Sequence, residues 1–384
     1  RWARTDRRAH IMSGNKNADE LLKWGLQNAP MAENGQSSVA QVSDDIAAGR
    51  RPDLQDPALY EALMGKSEAQ MMQEELGVAV DRSRPESDRL TALDNFEMLV
   101  EQVDNANNME SLQMWPALLK LLQSSDEPQI QLNAAWIVGT AMQNNDKAQV
   151  VALGHGILPI LLSLLEAPTP ELRSKAMYAI SSLLGHYPAA VAQFAEANGW
   201  VKFAGALQDS SIVVRRKVAF LLNQLLVQDP MDSSEPMQDG PPMPETAVTA
   251  KDSGDSHMPP VPLEEGPATK RVKVRHPDVA QALVESGIFD ALLTSLLPGA
   301  TGAAAECNGQ PTRNDVDYDE KALQVIMTLV DKRRPTLPLP KDKLAALVQA
   351  LQGPPVDASA GAATFAQELG VEKQALDAFL AHLA

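Results

Sequence analysis

Apolar residues recur through the middle of the chain with the three- and four-residue spacing of amphipathic helices, and the pattern returns after 42 residues. Three apolar residues mark the same position in successive copies: Ile130, Leu172 and Val214. Each copy has an aromatic residue six positions later: Trp136, Tyr178 and Phe220. A period of about 40 to 47 residues built from helices is typical of armadillo and HEAT repeats.

A second apolar segment contributes to each copy, in residues 114–130, 156–172 and 199–214. We therefore predict a unit made of an apolar helix, a polar turn and an aromatic-bearing helix. In one of the turns, Thr169 suits the N-cap, Pro170 the first helical position and Glu171 the positive end of the helix dipole. Such a unit cannot bury its apolar face alone, so the units must stack. The sequence predicts an all-α, armadillo-like α-solenoid.

The long helix of each unit has one side that is polar and aromatic rather than aliphatic. Three sets of residues share positions on that side: Asn133/Lys175/Lys217, Trp136/Tyr178/Phe220 and Thr140/Ser182/Gln224. In one interpretation the rings wedge between adjacent helices and the polar groups are ordinary solvated surface. In the other, which the pattern favours, this side is a concave protein-binding surface, because exposed aromatic residues among hydrogen-bonding groups suit binding hot spots.

The periodic pattern divides the chain into three regions. Residues 1–56 are a predicted flexible segment with a short amphipathic helix, 57–351 are the solenoid, and 352–384 are a C-terminal helical cap or tail. Within the solenoid, residues 87–109 resemble a weaker first copy of the repeat, and residues 317–333 have the pattern of the last long helix.

An insertion is predicted to interrupt the repeat. Pro230 lies one period after Pro188, yet the sequence after Pro277 also resembles the sequence after Pro188. The chain is therefore expected to leave the solenoid near Pro230 and to rejoin it near Pro277. The intervening residues 231–276 are rich in proline, serine, glycine and acidic residues, which predicts a disordered loop. The KRVKVR stretch at its end is either a nuclear-import signal or a solvated charge cluster, and the second is favoured.

Composition limits the partners that the chain can have. The net charge of −17 disfavours nucleic acid, since binding to phosphates requires a basic surface, and it disfavours anionic membranes as well. Cys307 is the single cysteine, so no intrachain disulfide can form and a reducing compartment is expected. No apolar run approaches the ~18 residues that a membrane span needs.

Catalytic and metal-binding motifs are missing from the sequence. Gly154 and Gly156 lie in a turn that no strand precedes, so they do not form a dinucleotide loop. Acidic residues at calcium-loop spacing begin at Asp315, but the glycine and the glutamate that an EF-hand requires are absent. His155 and His186 have no neighbouring ligand at metal spacing. The sequence predicts a protein that is not an enzyme and that uses no cofactor or metal.

Four stretches resemble a known family. They are DNANNMESLQMW (104–115), AAWIVGTAMQNNDKAQ (134–149), FLLNQLLV (220–227) and LLKWGLQNA (21–29). The chain resembles the armadillo-type nucleotide-exchange factors of heat-shock protein 70 chaperones, most closely the fungal cytosolic members. The resemblance covers most of residues 12–351; the departures are the proline-rich insertion and the basic residues before Met12.

The resemblance implies a mechanism without chemistry on a substrate. In this family the armadillo domain embraces one lobe of the chaperone's ATPase domain and distorts the nucleotide cleft, so that ADP leaves and ATP replaces it. The flexible N-terminal segment of the family is implicated in freeing polypeptide from the chaperone. Here that role falls to four residues of the predicted first helix: Leu21, Leu22, Trp24 and Leu26. Roles in protein folding and in the regulation of translation are implied in the same way.

The resemblance and the polar side of the long helices together indicate the residues that contact the partner. They are Asn105, Ala106, Asn133, Trp136, Lys175, Arg216, Lys217, Phe220 and Asn223. Ala106 is expected in a turn formed by DNANN, where a small side chain permits close approach. Lys217 is expected to pair with an acidic patch on the chaperone.

The expected partner is the ATPase domain of a cytosolic heat-shock protein 70, bound by a cytoplasmic monomer, with nuclear entry left open. The alternatives are a pure armadillo scaffold and a nuclear-import adaptor. An import adaptor carries asparagine four residues after each tryptophan of its binding face, whereas the present pairs end in Thr140, Ser182 and Gln224. Lys175 and Lys217 would also repel a basic cargo peptide.

Overall fold

The computed structural model describes residues 66–229, 274–297, 306–307, 310–311, 315–333, 337–353 and 364–383. The predicted N-terminal helix with Leu21, Leu22, Trp24 and Leu26 lies outside the described residues, as does the insertion up to residue 273. The chain divides into two compact units, Arg1–Glu75 and Leu76–Ala384. In the described part of the first unit, Lys66 and Glu74 form an ion pair of 2.6 Å.

The described chain is almost entirely helical, with one antiparallel pair of two-residue strands. The elements are α1 (Glu68–Val80), α2 (Glu86–Val100), α3 (Val103–Ser111), α4 (Trp115–Leu122), α5 (Pro128–Met142), α6 (Asp146–Gly154), α7 (Ile157–Leu164), α8 (Pro170–Leu184), α9 (Pro188–Glu196), α10 (Gly199–Ala206), α11 (Ile212–Gln228), α12 (Val279–Glu285), α13 (Ile288–Leu296), β1 (Glu306–Cys307), β2 (Gln310–Pro311), α14 (Val316–Arg333), α15 (Lys341–Gln352), α16 (Phe365–Glu368) and α17 (Lys373–Leu383).

The repeating unit contains three helices: two short ones and one long one. The long helices α2, α5, α8 and α11 begin at residues 86, 128, 170 and 212, each 42 after the last. The predicted unit of two helices was incomplete, because the nine-residue helices α6 and α9 lie only two residues before α7 and α10 and the apolar pattern does not separate them. A unit of this length with two short helices and one long helix is typical of armadillo repeats. This arrangement confirms the predicted fold class.

The core runs along the stack of long helices. Ile130, Leu172 and Val214 are at most 1% exposed, and successive long helices pack directly on one another. Leu161 of α7 and Phe203 of α10 are fully buried from the other side. Each such side chain contributes about 1.5–3 kcal/mol by leaving water. The periodic apolar residues therefore hold the stack together, as the sequence predicts.

The first turns of the long helices are fixed by buried side chains that also repeat every 42 residues. Arg89 Nε donates to the Ala79 carbonyl at 2.8 Å, and Gln131 Nε2 donates to the Leu122 carbonyl at 2.7 Å. At the equivalent position, Arg173 donates to the carbonyl of residue 167 at 2.8 Å. Each bond satisfies a carbonyl near the end of the preceding helix that has no partner inside that helix. These residues were not predicted from the sequence.

Helix starts follow the predicted chemistry only in part. Thr169 is the N-cap of α8 and Pro170 its first residue, as predicted, but the Thr169 hydroxyl makes no capping hydrogen bond. The turns between helices rely on left-handed residues: Asn144 and His186 have φ values of 53° and 54° at the ends of α5 and α8. These two residues lie 42 positions apart, so the reversal of the chain repeats with the unit.

The insertion leaves the repeat in register. Asp229, at the end of α11, accepts a hydrogen bond from the backbone N–H of Val279 at 3.2 Å. Asn145 lies two periods earlier and accepts from the N–H of Ala148, at the start of α6, at 3.2 Å. Asp229 thus caps the start of α12 across the insertion, as Asn145 caps the start of α6 in a continuous chain. The stack resumes with α12, as the match between Pro277 and Pro188 predicts.

The C-terminal helices cover the end of the stack. The last long helix is α14, as predicted, and α17 packs on it. The predicted helical segment 364–383 is two helices, separated at Gly370, where φ is 67°. Between α14 and these two helices lies a cavity of about 490 Å³.

No single helix among the described residues is long and apolar enough to cross a membrane, whereas the bent pairs α6–α7 and α12–α13 meet the length and composition requirements together.

Candidate protein-docking surface

The polar and aromatic sides of α5, α8 and α11 form a continuous surface, which we call the ladder surface. Its residues are Asn133, Trp136, Thr140, Lys175, Tyr178, Lys217 and Phe220. Trp136 and Tyr178 are half-buried, whereas Phe220 is 49% exposed. The rings therefore become more accessible toward α11.

Lys175 connects two of the long helices. Its ammonium lies 3.5 Å from the centroid of the Trp136 ring, so the cation rests on the electron-rich face of the indole. Such a contact contributes from about 0.5 to 2 kcal/mol, depending on how far it is removed from water. Burial lowers the pKa of Lys175, and the negative charge of Glu97 opposes that shift. The cation is thus held in one position before any partner arrives.

Lys217 occupies the equivalent position on α11. Its Nζ donates to the backbone carbonyl of Ser174 at 2.8 Å. Burial, reinforced by the positive charge of Lys175, lowers the pKa of Lys217 to about 8. Lys175 and Lys217 together make a local positive site on a protein whose net charge is −17.

A buried carboxyl group lies behind the ladder surface. Glu97 of α2 is 6% exposed and accepts a hydrogen bond from the Thr140 hydroxyl at 2.8 Å. Burial raises the pKa of Glu97, and the hydrogen bond from Thr140 opposes the rise. At the end of α5, Gln143 accepts a hydrogen bond from the Tyr178 hydroxyl at 2.8 Å. These bonds fix the ladder side chains from below.

The Tyr178 ring also explains why a glycine is found at position 139 of α5. A Cβ atom built on Gly139 of α5 would lie 2.5 Å from the Tyr178 ring, closer than a real carbon contact permits. The ring of α8 therefore wedges against the backbone of α5. Tyr178 therefore follows the interpretation in which the rings wedge between adjacent helices. The exposure of Phe220 agrees instead with the interpretation of a protein-binding surface.

Ser182 does not belong to the exposed side. It was expected beside Thr140 and Gln224, but it is 8% exposed, and its carbonyl accepts a hydrogen bond from the Gln149 side chain at 2.7 Å. The prediction was wrong because Ser182 lies at the edge of the polar stripe, where α6 covers it.

Asn105 and Ala106 are not surface residues. The predicted DNANN turn is wrong, since the segment lies in α3. Asn105 and Ala106 are 5% and 2% exposed, and the Asn105 side chain donates to the Leu99 carbonyl at 2.9 Å. The asparagine side chain provides a hydrogen-bond partner for a backbone carbonyl at the end of α2, and the alanine side chain packs next to the core. Neither side chain lies where a partner would touch it.

Arg216 and Asn223 bind the next helix of the stack. Arg216 Nε donates to Asp315 at 2.9 Å and lies 3.2 Å from an oxygen of Asp317. Asn223 accepts from the Thr328 hydroxyl at 2.8 Å. These contacts join α11 to α14 across the insertion, so both side chains have a structural role that the sequence did not indicate.

An apolar row runs along α11 and was missed in the sequence. Val213, Phe220 and Val227 are 45%, 49% and 59% exposed. They are seven residues apart, which places them on one side of the helix about two turns apart. The i, i+7 spacing of apolar residues within α11 is the sequence signal for this row, and it is separate from the 42-residue repeat. The row adds an apolar strip beside Lys217 on the ladder surface.

The chain is similar to known proteins over almost its whole length. Residues 18–109 match the family described as "Nucleotide exchange factor Fes1", and residues 105–247 match "SIL1/FES1/HPBP1 C-terminal domain". A protein of Mycosarcoma maydis named "Hsp70 nucleotide exchange factor FES1" is 47% identical over 96% of this chain and 98% of the relative. A protein of Cryptococcus neoformans with the same name is 31% identical over 77% of this chain and 71% of the relative.

Among solved structures, an engineered protein that is 13% identical aligns with a TM-score of 0.51, covering 82% of this chain and 99% of that one. At this identity the likeness concerns the fold alone.

Proposed function

This chain belongs to the Fes1 family of Hsp70 nucleotide exchange factors, and we propose that it binds the ATPase domain of a cytosolic Hsp70 and accelerates the release of ADP. The observation that carries the proposal is the 47% identity to a relative of that name over 96% of this chain. An exchange factor breaks no covalent bond; it changes the rate at which a bound nucleotide leaves. The proposed activity therefore requires a docking surface and no catalytic group.

The ladder surface is the proposed docking surface. To favour release, the protein must bind the open form of the ATPase domain more tightly than the closed, ADP-bound form, since equal affinity would shift nothing. Lys175 is already seated on Trp136, and Lys217 is already bonded to the carbonyl of Ser174. Little binding energy is then lost in ordering these side chains. A rigid surface can hold the partner in the form that fits it.

Charge and apolar area indicate what the surface binds. Lys175 and Lys217 favour a partner patch that carries carboxylates, while the exposed row around Phe220 favours an apolar contact next to that patch. The protein is proposed to act as a monomer in the cytosol. Sedimentation of the purified chain and fractionation of cells would test these two points.

The N-terminal segment is proposed to have a separate role in releasing polypeptide from the chaperone. This rests on the apolar character of Leu21, Leu22, Trp24 and Leu26, which chaperone-bound polypeptides share. Deleting the residues before Asp56 is expected to spare ADP release but to slow the release of a model peptide from Hsp70. Deleting the insertion, residues 231–276, is expected to change neither rate. Unchanged peptide release without the N-terminal residues would contradict the assigned role.

The deciding experiment is stopped-flow release of a fluorescent ADP analogue from the ATPase domain of a cytosolic Hsp70. The full chain at saturating concentration is expected to accelerate release by about tenfold or more, in the range of typical coupling between two ligands. The same measurement with unlabelled ATP omitted distinguishes faster release from simple competition. No acceleration at saturation would overturn the proposal.

A further inference from the structure

Lys217 is an unusual amine within the ladder surface. It is half-buried, and its Nζ donates to the Ser174 carbonyl at 2.8 Å. A carbonyl oxygen carries only a partial charge, so this bond compensates for little of the water that the ammonium has lost. Among the residues that the structure describes, no carboxylate lies within ion-pair distance of Lys217 Nζ.

The surroundings of Lys217 add positive charge instead of removing it. Lys175 lies at the equivalent position of the neighbouring helix, and its ammonium is fixed over Trp136 at 3.5 Å. The carboxylates at the start of α14 are bound by other cations: Asp315 pairs with Arg216, and Asp317 pairs with both Arg216 and Lys321. The charged form of Lys217 is therefore opposed by the positive charge of Lys175.

Loss of water and a neighbouring cation both favour the neutral amine, which is the nucleophilic form of lysine. They lower the pKa of Lys217 to about 8, with burial as the larger cause. An ordinary lysine has a pKa of about 10.4, so each unit below that value raises its neutral fraction about tenfold near neutral pH. Lys217 thus carries far more free amine at physiological pH than an exposed lysine does.

We propose that Lys217 is a site of covalent modification, an acceptor for acyl groups from activated donors of the thioester class. The amine lone pair attacks the thioester carbonyl carbon, the N–C bond forms and the C–S bond breaks. The sulfur leaves as a thiolate, and the proton lost by nitrogen passes to that thiolate or to water. The product is an amide, which has no charge and adds the volume of the acyl group to the surface.

The consequence for binding rests on the proposed function. Acylation removes one of the two positive charges of the ladder surface at a point between Lys175 and the apolar row of α11. A partner patch that carries carboxylates then loses one attraction and meets added bulk. Modification of Lys217 would reduce the affinity for Hsp70 without unfolding the protein.

The site is tested by competitive labelling of the full chain. A limiting amount of S-acetyl-N-acetylcysteamine is added at pH 7.5, and acetylation of each lysine is measured by peptide mass spectrometry. Two lysines serve as internal references: Lys120, which is exposed, and Lys202, which pairs with Glu166. Lys217 is expected to react at least about fivefold faster than either one. Labelling of Lys217 at or below the rate of Lys120 would overturn the proposal.

The cause is tested on Lys175. Lys175→Met removes the neighbouring cation and is expected to slow acetylation of Lys217 at least about twofold, whereas Lys175→Arg keeps the cation and should preserve the rate. Circular dichroism confirms that both variants fold. Equal labelling of Lys217 in the Met and Arg variants would contradict the part assigned to Lys175. Because labelling is measured on the protein alone, it fails or succeeds independently of any effect on Hsp70.

Discussion

The ammonium of Lys175 lies 3.5 Å from the centre of the Trp136 ring, although the two residues stand on different helices 39 positions apart in the sequence. The contact links neighbouring units of the repeat at the surface rather than in the core. It places a fixed positive charge where the rings of the ladder surface become accessible.

Phe220→Ala is expected to weaken binding of the Hsp70 ATPase domain about tenfold or more, while the loss of its half-buried ring lowers stability by only about 1–2 kcal/mol. The ring is 49% exposed, so about half of its area is available to a partner, and aromatic residues at the centre of an interface contribute strongly to binding. Calorimetric titration measures the affinity and thermal unfolding measures the stability. Val201→Ala on α10 is the matched control, because Val201 is 65% exposed on a different helix of the unit. Equal losses of affinity in the two variants would argue against the ladder surface.

Lys217→Ala is expected to weaken binding more at low than at high salt. Attraction between its charge and carboxylates on a partner is screened as ionic strength rises. Affinity measured between about 20 mM and 500 mM salt should therefore converge for the variant and the unaltered protein. Lys202→Ala, which removes a lysine paired with Glu166, should show no such dependence. A loss that is constant across salt would indicate that Lys217 acts by shape and not by charge.

Gly139→Ala is expected to destabilise the protein by about 1–3 kcal/mol, the usual penalty for overpacking. The added methyl carbon would lie 2.5 Å from the Tyr178 ring and force α5 and α8 apart. Gly205→Ala is the matched control: nothing lies within 4 Å of its Cβ position in α10, so it should stabilise by about 0.5–1 kcal/mol. Chemical denaturation measures both. Destabilisation by Gly205→Ala of the same size would remove the packing argument.

Ala106→Arg is expected to destabilise the fold by more than about 3 kcal/mol, since it places a charge in a position without a partner. Ala106 is 2% exposed on α3, so the side chain has no room to reach water. Asn108→Arg, on the exposed side of the same helix, should be nearly neutral. Thermal melting compares the two. A soluble, fully stable Ala106→Arg protein that fails only in binding would restore the original expectation of an exposed turn.

Lys217→Met is expected to remove part of the pH dependence of stability in the alkaline range. The folded-state pKa of Lys217 is lowered to about 8, below its value in the unfolded chain, so between these pH values the unfolded chain holds more protons. Stability therefore rises with pH from about 8 to 10.4, and the contribution is lost again as pH falls through 8. Denaturant midpoints at pH 7, 8.5 and 10 compare the variant with the unaltered chain. Parallel curves would show that Lys217 keeps its ordinary titration.

The sequence predicts the fold well because the repeat is marked by large aliphatic residues, which are stable only when they are buried in the core. Ile130, Leu172 and Val214 are buried at equal spacing, and their helices begin 42 residues apart. The short helices α6 and α9 escaped prediction because only two residues separate each of them from the apolar helix that follows, so the sequence pattern does not divide the two helices.

The candidate site was predicted less completely, and for a different reason. A polar residue on a helix is satisfied by water, by a partner or by the next helix, and its sequence position does not distinguish these cases. Asn105 and Asn223 were expected to meet a partner, yet one bonds the end of α2 and the other bonds α14. Trp136 and Phe220 remained at the surface because a large ring on the polar side of a stacked helix has little core left to enter.

The hydrogen bond between Asp229 and Val279 has a consequence for protein engineering. It joins the Asp229 carboxylate to the backbone N–H of Val279 at 3.2 Å, so the helices on either side of the insertion are held next to each other. Lengthening a loop whose ends already meet costs only about 0.6 kcal/mol for each doubling. A reporter domain could therefore be grafted between these residues, and the helices on either side would keep their register.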